Sequence, residues 1–273
     1  MVSSSDVKET ARNNGADLVG IATIEMFRQL PPEVNPTFIQ PDARSVIVLG
    51  YSIPRGSFRG IEAGMAWGTF WCGMCNPAVE CTYQTCRALE SAGWEATPYF
   101  PQPRDLTNQG VRVRQGKPEP NVIFDLEYAA QAAGLGEIGR GKFFLTPEFG
   151  PRQLFTAILT DAELEPDQPF HGSVCDDCGA CAAACPAQAL AQNSIAEAKL
   201  CDSLARWYQL RIENCKVCQT GISGMPYSGG TEPYRVGAAC GRACIAHLED
   251  NGKLARAFHS HFREPAQEEA ERC

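Results

Sequence analysis

The sequence has no apolar run near the ~20 residues that a membrane-spanning helix needs. Its N-terminus lacks a basic region followed by an apolar stretch, and it lacks a twin-arginine pair, so no export signal is recognisable. It also lacks an excess of positive charge, because the net charge is −8 and the pI is about 5.1. Proteins that bind nucleic acid usually carry a basic patch. These absences predict a cytoplasmic protein that binds neither membranes nor nucleic acid.

Cysteine is abundant by contrast, with 14 among the 273 residues. In a chain that is not exported, so many cysteines indicate metal ligation rather than disulfides. The length is sufficient for one sizeable core and a small second domain.

Four of the cysteines form the run C-x-x-C-x-x-C-x-x-x-C-P, at Cys175, Cys178, Cys181 and Cys185, with Pro186 after the last. This is the bacterial ferredoxin spacing for [4Fe–4S] clusters, in which the first three thiolates bind one cluster and the fourth binds another. The run therefore predicts two clusters and a protein that transfers electrons. A zinc site and a disulfide knot are the alternatives.

Further cysteines downstream complete both sets of ligands. For one cluster we predict Cys185, Cys201, Cys215 and Cys218. For the other we predict Cys175, Cys178 and Cys181, closed by Cys244, with Cys240 as the alternative ligand. Whichever of the last two is not a ligand is expected to be a small buried residue of the core.

A separate group of four cysteines precedes these, at Cys72, Cys75, Cys81 and Cys86. Four thiols so close in sequence could bind a third cluster or a zinc ion. Cys72 and Cys75 could instead form a redox-active pair. Buried free thiols are the remaining interpretation, because Cys81 and Cys86 are five residues apart on a predicted helix.

Apolar patterning predicts strands that alternate with helices over about the first 170 residues, which indicates an α/β or α+β fold. The predicted helices are 5–15, 78–92 and 121–133, and the predicted strands are 17–24, 45–52, 95–100 and 153–160. We predict a first domain over 1–170, a small cluster-bearing domain over 171–250, and a tail over 251–273 with a short helix at 253–263 and an acidic end.

The sequence AAGLGEIGR at 132–140, followed by LTPEFGP at 145–151 and LTD at 159–161, leads into the cysteine run. This combination resembles the corrinoid-dependent iron–sulfur family of reductive dehalogenases and epoxyqueuosine reductases. The resemblance extends over about residues 121–218. It implies a nitroreductase-like domain that binds a corrinoid, followed by a ferredoxin-like domain with two [4Fe–4S] clusters.

The glycine-rich segment is the part of the chain that the resemblance assigns to the corrinoid. Glycines allow backbone to approach a large flat cofactor, and backbone amides can donate to it. A helix end and turn chosen for geometry alone is the alternative. The residues implied in cofactor binding are Gly134, Leu135, Gly136, Glu137, Ile138, Gly139 and Arg140. Flavin is the alternative cofactor, because nitroreductase-like domains also bind flavin.

The sequence departs from the family in features that bear on the substrate. It lacks the helical-repeat domain and basic surface of the epoxyqueuosine reductases, which argues against tRNA as substrate. The D-S-x-P stretch that carries the catalytic acid of those enzymes has no match at 118–125. Asp125 and Tyr128 are proton donors by residue type, although a helix-start acid and a packed aromatic are the structural alternatives.

The leading hypothesis is a cytoplasmic reductase in which two clusters pass electrons to a corrinoid that reduces a small molecule. A ferredoxin or flavodoxin would be the electron donor. The alternative is an electron-transfer protein, or one that reduces or handles the corrinoid of a partner, without a substrate of its own.

Overall fold

The computed structural model describes residues 2–64, 75–101, 122–200, 203–220 and 235–263. Within these ranges the helices are α1 (Ser4–Asn13), α2 (Arg55–Glu62), α3 (Cys75–Ser91), α4 (Leu126–Ala132), α5 (Ala180–Ala183), α6 (Ile212–Lys216) and α7 (Ala239–Asp250). The strands are β1 (Leu18–Thr23), β2 (Ser45–Ser52), β3 (Ala96–Tyr99), β4 (Glu137–Ile138), β5 (Phe144–Leu145), β6 (Gln153–Thr160), β7 (Leu190–Leu200) and β8 (Ser203–Leu210). No helix in the described ranges is both long and apolar enough to cross a membrane.

A four-stranded sheet in the order β1-β2-β6-β3 forms the centre of the fold, and every neighbouring pair of strands is antiparallel. Strand β2 is buried on both faces, because Ile47 and Leu49 belong to one apolar layer and Val46 and Val48 to the other. Helices α1 and α3 contribute to the first layer and α4 to the second. The predicted mixture of helix and sheet is confirmed, and the antiparallel pairing makes it α+β.

The elements predicted up to residue 160 appear in the structure with small changes at their ends. Strands β2 and β6 have the predicted bounds, and α1 begins one residue earlier, after a capping box between Ser3 and Asp6. Helix α4 is shorter than predicted because Asp125 caps its first turn. The Asp125 side chain accepts hydrogen bonds from the backbone N–H groups of Glu127 and Tyr128.

Two hairpins lie outside the central sheet. Strands β4 and β5 pair with each other, and β7 pairs with β8. The hairpins are linked by a hydrogen bond from the Tyr208 backbone N–H to the Arg140 carbonyl at 2.8 Å. Helix α5 packs against α7, which brings the cysteine run beside the last described cysteines.

The helix predicted at 253–263 is wrong. This segment is irregular, because Gly252, with φ of +61°, ends α7 and the following residues bind other parts of the fold. The Ala255 backbone N–H donates to the Pro147 carbonyl, Arg55 donates to the Ser260 carbonyl, and Phe262 is fully buried in the core. These long-range contacts replace the local hydrogen bonds of a helix.

Candidate functional site

Four of the predicted cluster ligands line one pocket. Cys175 and Cys178 lie in the loop before α5, Cys181 lies on α5, and Cys244 lies on α7. Of the two candidates for the closing ligand, it is Cys244 that lines this pocket together with the three cysteines of the run.

Backbone of the hairpin between β4 and β5 approaches these thiols closely. A Cβ at Gly139 would lie 3.3 Å from the sulfur of Cys175, and one at Gly141 would lie 3.0 Å from the sulfur of Cys181. The Arg140 backbone N–H donates to the sulfur of Cys175 at 3.4 Å. Such N–H···S bonds are a feature of iron–sulfur sites and help to set their potentials.

The side chains of Glu137 and Arg140 hold the cysteine loop. Glu137 accepts hydrogen bonds from the backbone N–H groups of Val174 at 2.6 Å and Cys175 at 2.8 Å. Arg140 pairs with Asp177 at 3.0 Å. Asp177 has a φ of +59°, in the left-handed region that aspartate adopts more readily than most other residues with a side chain.

The sulfurs are more widely spaced than a single zinc ion requires. Four cysteine sulfurs bound to one zinc at about 2.3 Å would lie about 3.8 Å from one another. Among the described residues, only Asp176, Cys178 and His247 form a set of three potential ligands whose atoms all lie within 4.8 Å of one another. Within the described ranges, the four thiols of the pocket do not form a set that compact.

Burial and mutual repulsion disfavour the thiolate forms in the absence of metal. Burial, with the neighbouring thiols Cys175 and Cys178, raises the pKa of Cys181 to about 12. The same two causes raise the pKa of Cys244 well above its ordinary value. Because cluster ligands are thiolates, assembly of a cluster would release protons here and would stabilise the fold.

A second group of thiols lies near α6. Cys185, Cys215 and Cys218 are all buried, and Cys185 and Cys215 share a small apolar cluster. The pKa of Cys215 is raised by burial and by the charges of Cys218 and Cys185. The predicted fourth ligand, Cys201, lies outside the described residues, so that assignment stays a prediction.

Cys240 lies between the two groups. Burial raises its pKa to about 11, and among the other causes Arg235 lowers it while Cys185 and Cys215 raise it. Cys240 also contributes to the raised pKa of Cys181. Cys240 does not line the first pocket. It interacts electrostatically with thiols of both groups.

The earlier group of four cysteines is described only in part. Cys81 and Cys86 are buried in the core on one face of the sheet, and the Cys81 thiol donates to the Ala11 carbonyl at 3.4 Å. Cys72 lies outside the described residues, as does the side chain of Cys75. A third metal site here stays a prediction, and the two described thiols pack as core residues.

The first part of the glycine-rich segment packs against protein. A Cβ at Gly134 would lie 2.2 Å from the Gln168 carbonyl oxygen, and one at Gly136 would lie 2.1 Å from that of Leu145. Leu135 and Ile138 of this part pack in the second apolar layer. These contacts account for the glycines structurally, and a corrinoid role for the segment stays a prediction.

Asp125 and Tyr128 occupy the first turn of α4. The Asp125 carboxylate accepts from the backbone N–H groups of Glu127 at 2.9 Å and Tyr128 at 3.2 Å, which is an N-cap interaction. Tyr128 is half-buried against the second apolar layer. Asp125 therefore caps the helix and Tyr128 packs against the core, as the structural alternatives in the sequence analysis predicted.

A cleft of about 170 Å³ lies on the opposite side of β5 from the thiol pocket. Successive side chains of a strand point to opposite faces. Accordingly Phe143 and Leu145 line the thiol pocket, whereas Phe144 lines the cleft together with Phe155 of β6. A single strand therefore separates the two.

Glu127 lies in the wall of this cleft and was not predicted from the sequence. Burial and the charge of Asp125 raise the pKa of Glu127 to about 7, against the lowering effects of Arg235, Lys142 and a hydrogen bond from the Phe144 backbone. No local sequence signal marks Glu127, because the other walls of its cleft include Phe144 and Phe155, which are distant in sequence.

His247 was also not predicted. Its Nε2 lies 2.8 Å from a carboxylate oxygen of Asp176 at the edge of the thiol pocket, and this hydrogen bond lowers the pKa of Asp176.

The converging thiols and their backbone donors fit iron–sulfur binding. No family model matches the chain. The chain is 48% identical over 67 residues to the tetrachloroethene reductive dehalogenase of Desulfitobacterium hafniense, a match covering 23% of this chain and 12% of that protein. It is 23% identical over 257 residues to the epoxyqueuosine reductase of Staphylococcus aureus, covering 78% of this chain and 62% of that protein.

Solved structures show the same relationship at the level of the fold. The catabolic reductive dehalogenase NpRdhA has a TM-score of 0.58 at 19% identity, covering 88% of this chain and 31% of its own. An epoxyqueuosine reductase has a TM-score of 0.57 at 16% identity, covering 95% and 68%. The resemblance predicted from the sequence is thus confirmed, although the chain spans only 12% to 62% of the two curated relatives named above.

Proposed function

We propose that the chain is an iron–sulfur reductase in which electrons from an external one-electron donor pass through two [4Fe–4S] clusters to a cofactor and reduce a small molecule beside β5. A ferredoxin or flavodoxin is the proposed donor, and the proposed location is the cytoplasm. The observation that carries this function is the placement of the thiol pocket and the cleft on the two sides of one strand.

The thiol pocket fits a cluster on the basis of its donors. Four thiols converge, backbone glycines leave room beside two of them, and an N–H group donates to one sulfur. Cys175, Cys178, Cys181 and Cys244 would hold this cluster, and Cys185, Cys215 and Cys218, with Cys201, would hold the other. The clusters supply single electrons.

A corrinoid is the proposed cofactor, because a structural neighbour is titled as a B12-dependent reductive dehalogenase. The described walls of the cleft enclose about 170 Å³, which suits a small molecule and is too little for a whole corrinoid. The described residues therefore fit the first cluster, and the cleft does not fit an entire corrinoid.

Halogenated small molecules are the proposed substrate class, since the segment with 48% identity belongs to a tetrachloroethene reductive dehalogenase. The net charge of −8 makes tRNA an unsuitable substrate.

Cofactor content tests this function directly. The protein would be purified without oxygen, supplied with cobalamin or flavin, and analysed for iron, sulfide, cobalt and flavin. About eight irons with one cobalt per chain is the expected result, because two cubanes contain four irons each. Eight irons without cobalt or flavin would favour the electron-transfer alternative, and bound flavin in place of cobalt would replace the corrinoid.

A further inference from the structure

The cleft beside β5 has apolar walls and one ionisable side chain among the described residues that line it. Phe144, Phe155 and Leu126 provide much of the apolar surface, and Val236 closes one side. The one described carboxyl group in the wall is that of Glu127. Small-molecule sites typically combine an apolar surface with a few polar groups that fix orientation.

The charges around Glu127 come from three elements. Asp125 precedes it on α4, Lys142 lies in the turn between β4 and β5, and Arg235 lies before α7. Arg235 is itself fixed, because it donates to the carbonyls of Gly141 and Lys142 and lies over the Phe143 ring. With burial and Asp125 outweighing the two cations, the pKa of Glu127 is raised to about 7. The direction of this shift favours the neutral, proton-donating form of the carboxyl.

We propose that the cleft binds a small, largely apolar molecule that carries a hydrogen-bond acceptor, and that the neutral carboxyl of Glu127 donates its proton to that acceptor. The cleft supplies the apolar contact and Glu127 supplies the orientation. This assignment differs from the sequence-based candidates Asp125 and Tyr128, whose backbone caps and packing hold them in structural roles.

Within the reductase function proposed above, on which this step rests, Glu127 is the proton donor of the reaction. For an organic halide, two electrons and one proton convert the carbon–halogen bond into a carbon–hydrogen bond and release halide. Two molecules of the external one-electron donor are oxidised, and each supplies one electron. Glu127 is left as a carboxylate and regains its proton from solvent.

Ligand binding tests the site without requiring turnover. The probes are acetophenone, which has a carbonyl acceptor, and ethylbenzene, which has nearly the same shape without one. On wild-type protein we expect acetophenone to bind about 2- to 10-fold more tightly than ethylbenzene at pH 6, as one hydrogen bond would give, and the preference to shrink at pH 8.5. Saturation-transfer NMR would measure both affinities.

Three variants separate the role of the carboxyl from that of the cleft. Glu127→Gln retains a hydrogen-bond donor that does not titrate, so the preference of this variant for acetophenone over ethylbenzene should be the same at both pH values. Glu127→Leu should bind both probes equally. The exposed Glu163→Gln, whose wild-type side chain is 81% accessible, should behave as wild type. Failure of both probes to bind, or an unchanged pH dependence in Glu127→Gln, would overturn the proposal.

A parallel assay distinguishes this proposal from the reductase function. Reduction of a halogenated phenol by protein loaded with clusters and cobalamin would be followed in wild type and Glu127→Gln, with the rate of cluster reduction measured by absorbance. Loss of turnover at an unchanged cluster reduction rate is expected. Full turnover in Glu127→Gln would refute the proton donor alone. Probe binding without any wild-type turnover would refute the reductase function while leaving the binding site in place.

Discussion

The carboxylate of Glu137 accepts a 2.8 Å hydrogen bond from the backbone N–H of Cys175, the first cysteine of the ferredoxin-like run. The same oxygen accepts from Val174 at 2.6 Å. A side chain from the β4 strand therefore fixes the start of the loop that carries two of the thiols of the first pocket.

We expect Glu137→Ala to release this loop and to cost about 1–3 kcal/mol of folding free energy, since two backbone donors to a charged acceptor are lost. The rate of cluster loss to a chelator, followed by absorbance, should rise. Glu163→Ala, on an exposed ion pair, should leave that rate unchanged. Equal rates in both variants would show that Glu137 does not hold the cluster loop.

Cys178→Ala should lower the iron content by about four atoms per chain, because one cubane loses a ligand. Cys81→Ala provides a matched control, because Cys81 is fully buried in the core and its thiol donates to a backbone carbonyl. That variant should lose stability while retaining its iron. Iron analysis and thermal unfolding of both variants would distinguish a ligand from a core thiol, and full iron in Cys178→Ala would contradict the assignment.

Cys244→Ser should remove the first cluster, since Cys244 lines the same pocket as three cysteines of the run. Cys240→Ser should spare that cluster, because Cys240 lies outside the pocket and its pKa responds to Cys185 and Cys215. Electron paramagnetic resonance of the reduced variants would report which cluster signal disappears. Loss of the first signal in Cys240→Ser alone would reverse the two roles.

Glu127 should make stability depend on pH in a defined direction. Its pKa is about 7 in the folded protein and about 4.3 in an unfolded chain, so between these values the folded state holds a proton that the unfolded state has lost. Stability therefore falls as pH rises from about 4.3 to 7, and the loss is complete above 7.

Glu127→Gln should remove the fall in folding stability that occurs as pH rises. The melting temperature of the variant minus that of wild type should increase between pH 5.5 and pH 8, by an amount equivalent to about 2 kcal/mol. Glu163→Gln should show no such trend, because its carboxylate is exposed. A constant difference across the pH range would mean that Glu127 titrates in the same way in both states.

The parts of the fold that sequence predicted well depend on local composition. Strands β2 and β6 have β-branched apolar runs buried on both faces, which makes their bounds readable. The helix predicted at 253–263 failed because Ser260 and Phe262 make distant contacts that no local pattern reveals. The β7–β8 hairpin was likewise not predicted.

The candidate site likewise combines features that local sequence predicts with features that depend on distant contacts. The spacing of Cys175, Cys178 and Cys181 was enough to predict that these thiols lie together, because cluster geometry imposes short steps between cysteines. Glu127 could not be predicted in this way, because its cleft is also lined by Phe144, Phe155 and Val236, which are distant in sequence. Asp125 and Tyr128 were chosen by residue type, and their side chains serve the start and packing of α4.

The ion pair between Arg55 and Glu249 should be a major determinant of stability. The two side chains lie 2.9 Å apart at 5% and 9% exposure, and the buried Arg152 lies 3.8 Å from the same carboxylate. Glu249→Gln would leave two buried guanidinium groups without a counter-ion, at a cost of about 3–5 kcal/mol. Chemical denaturation should show this loss, whereas Glu163→Gln should stay within about 1 kcal/mol of wild type. A mild effect would mean that water or another group compensates the arginines.

The single strand between the thiol pocket and the cleft also bears on how fast electrons could move. Electron tunnelling weakens steeply with distance. Phe143 faces the thiol pocket and Phe144 faces the cleft, so the two sites are separated here by the thickness of one backbone. Any electron transfer between the two sides would therefore depend on the distance across this strand and on the difference in potential.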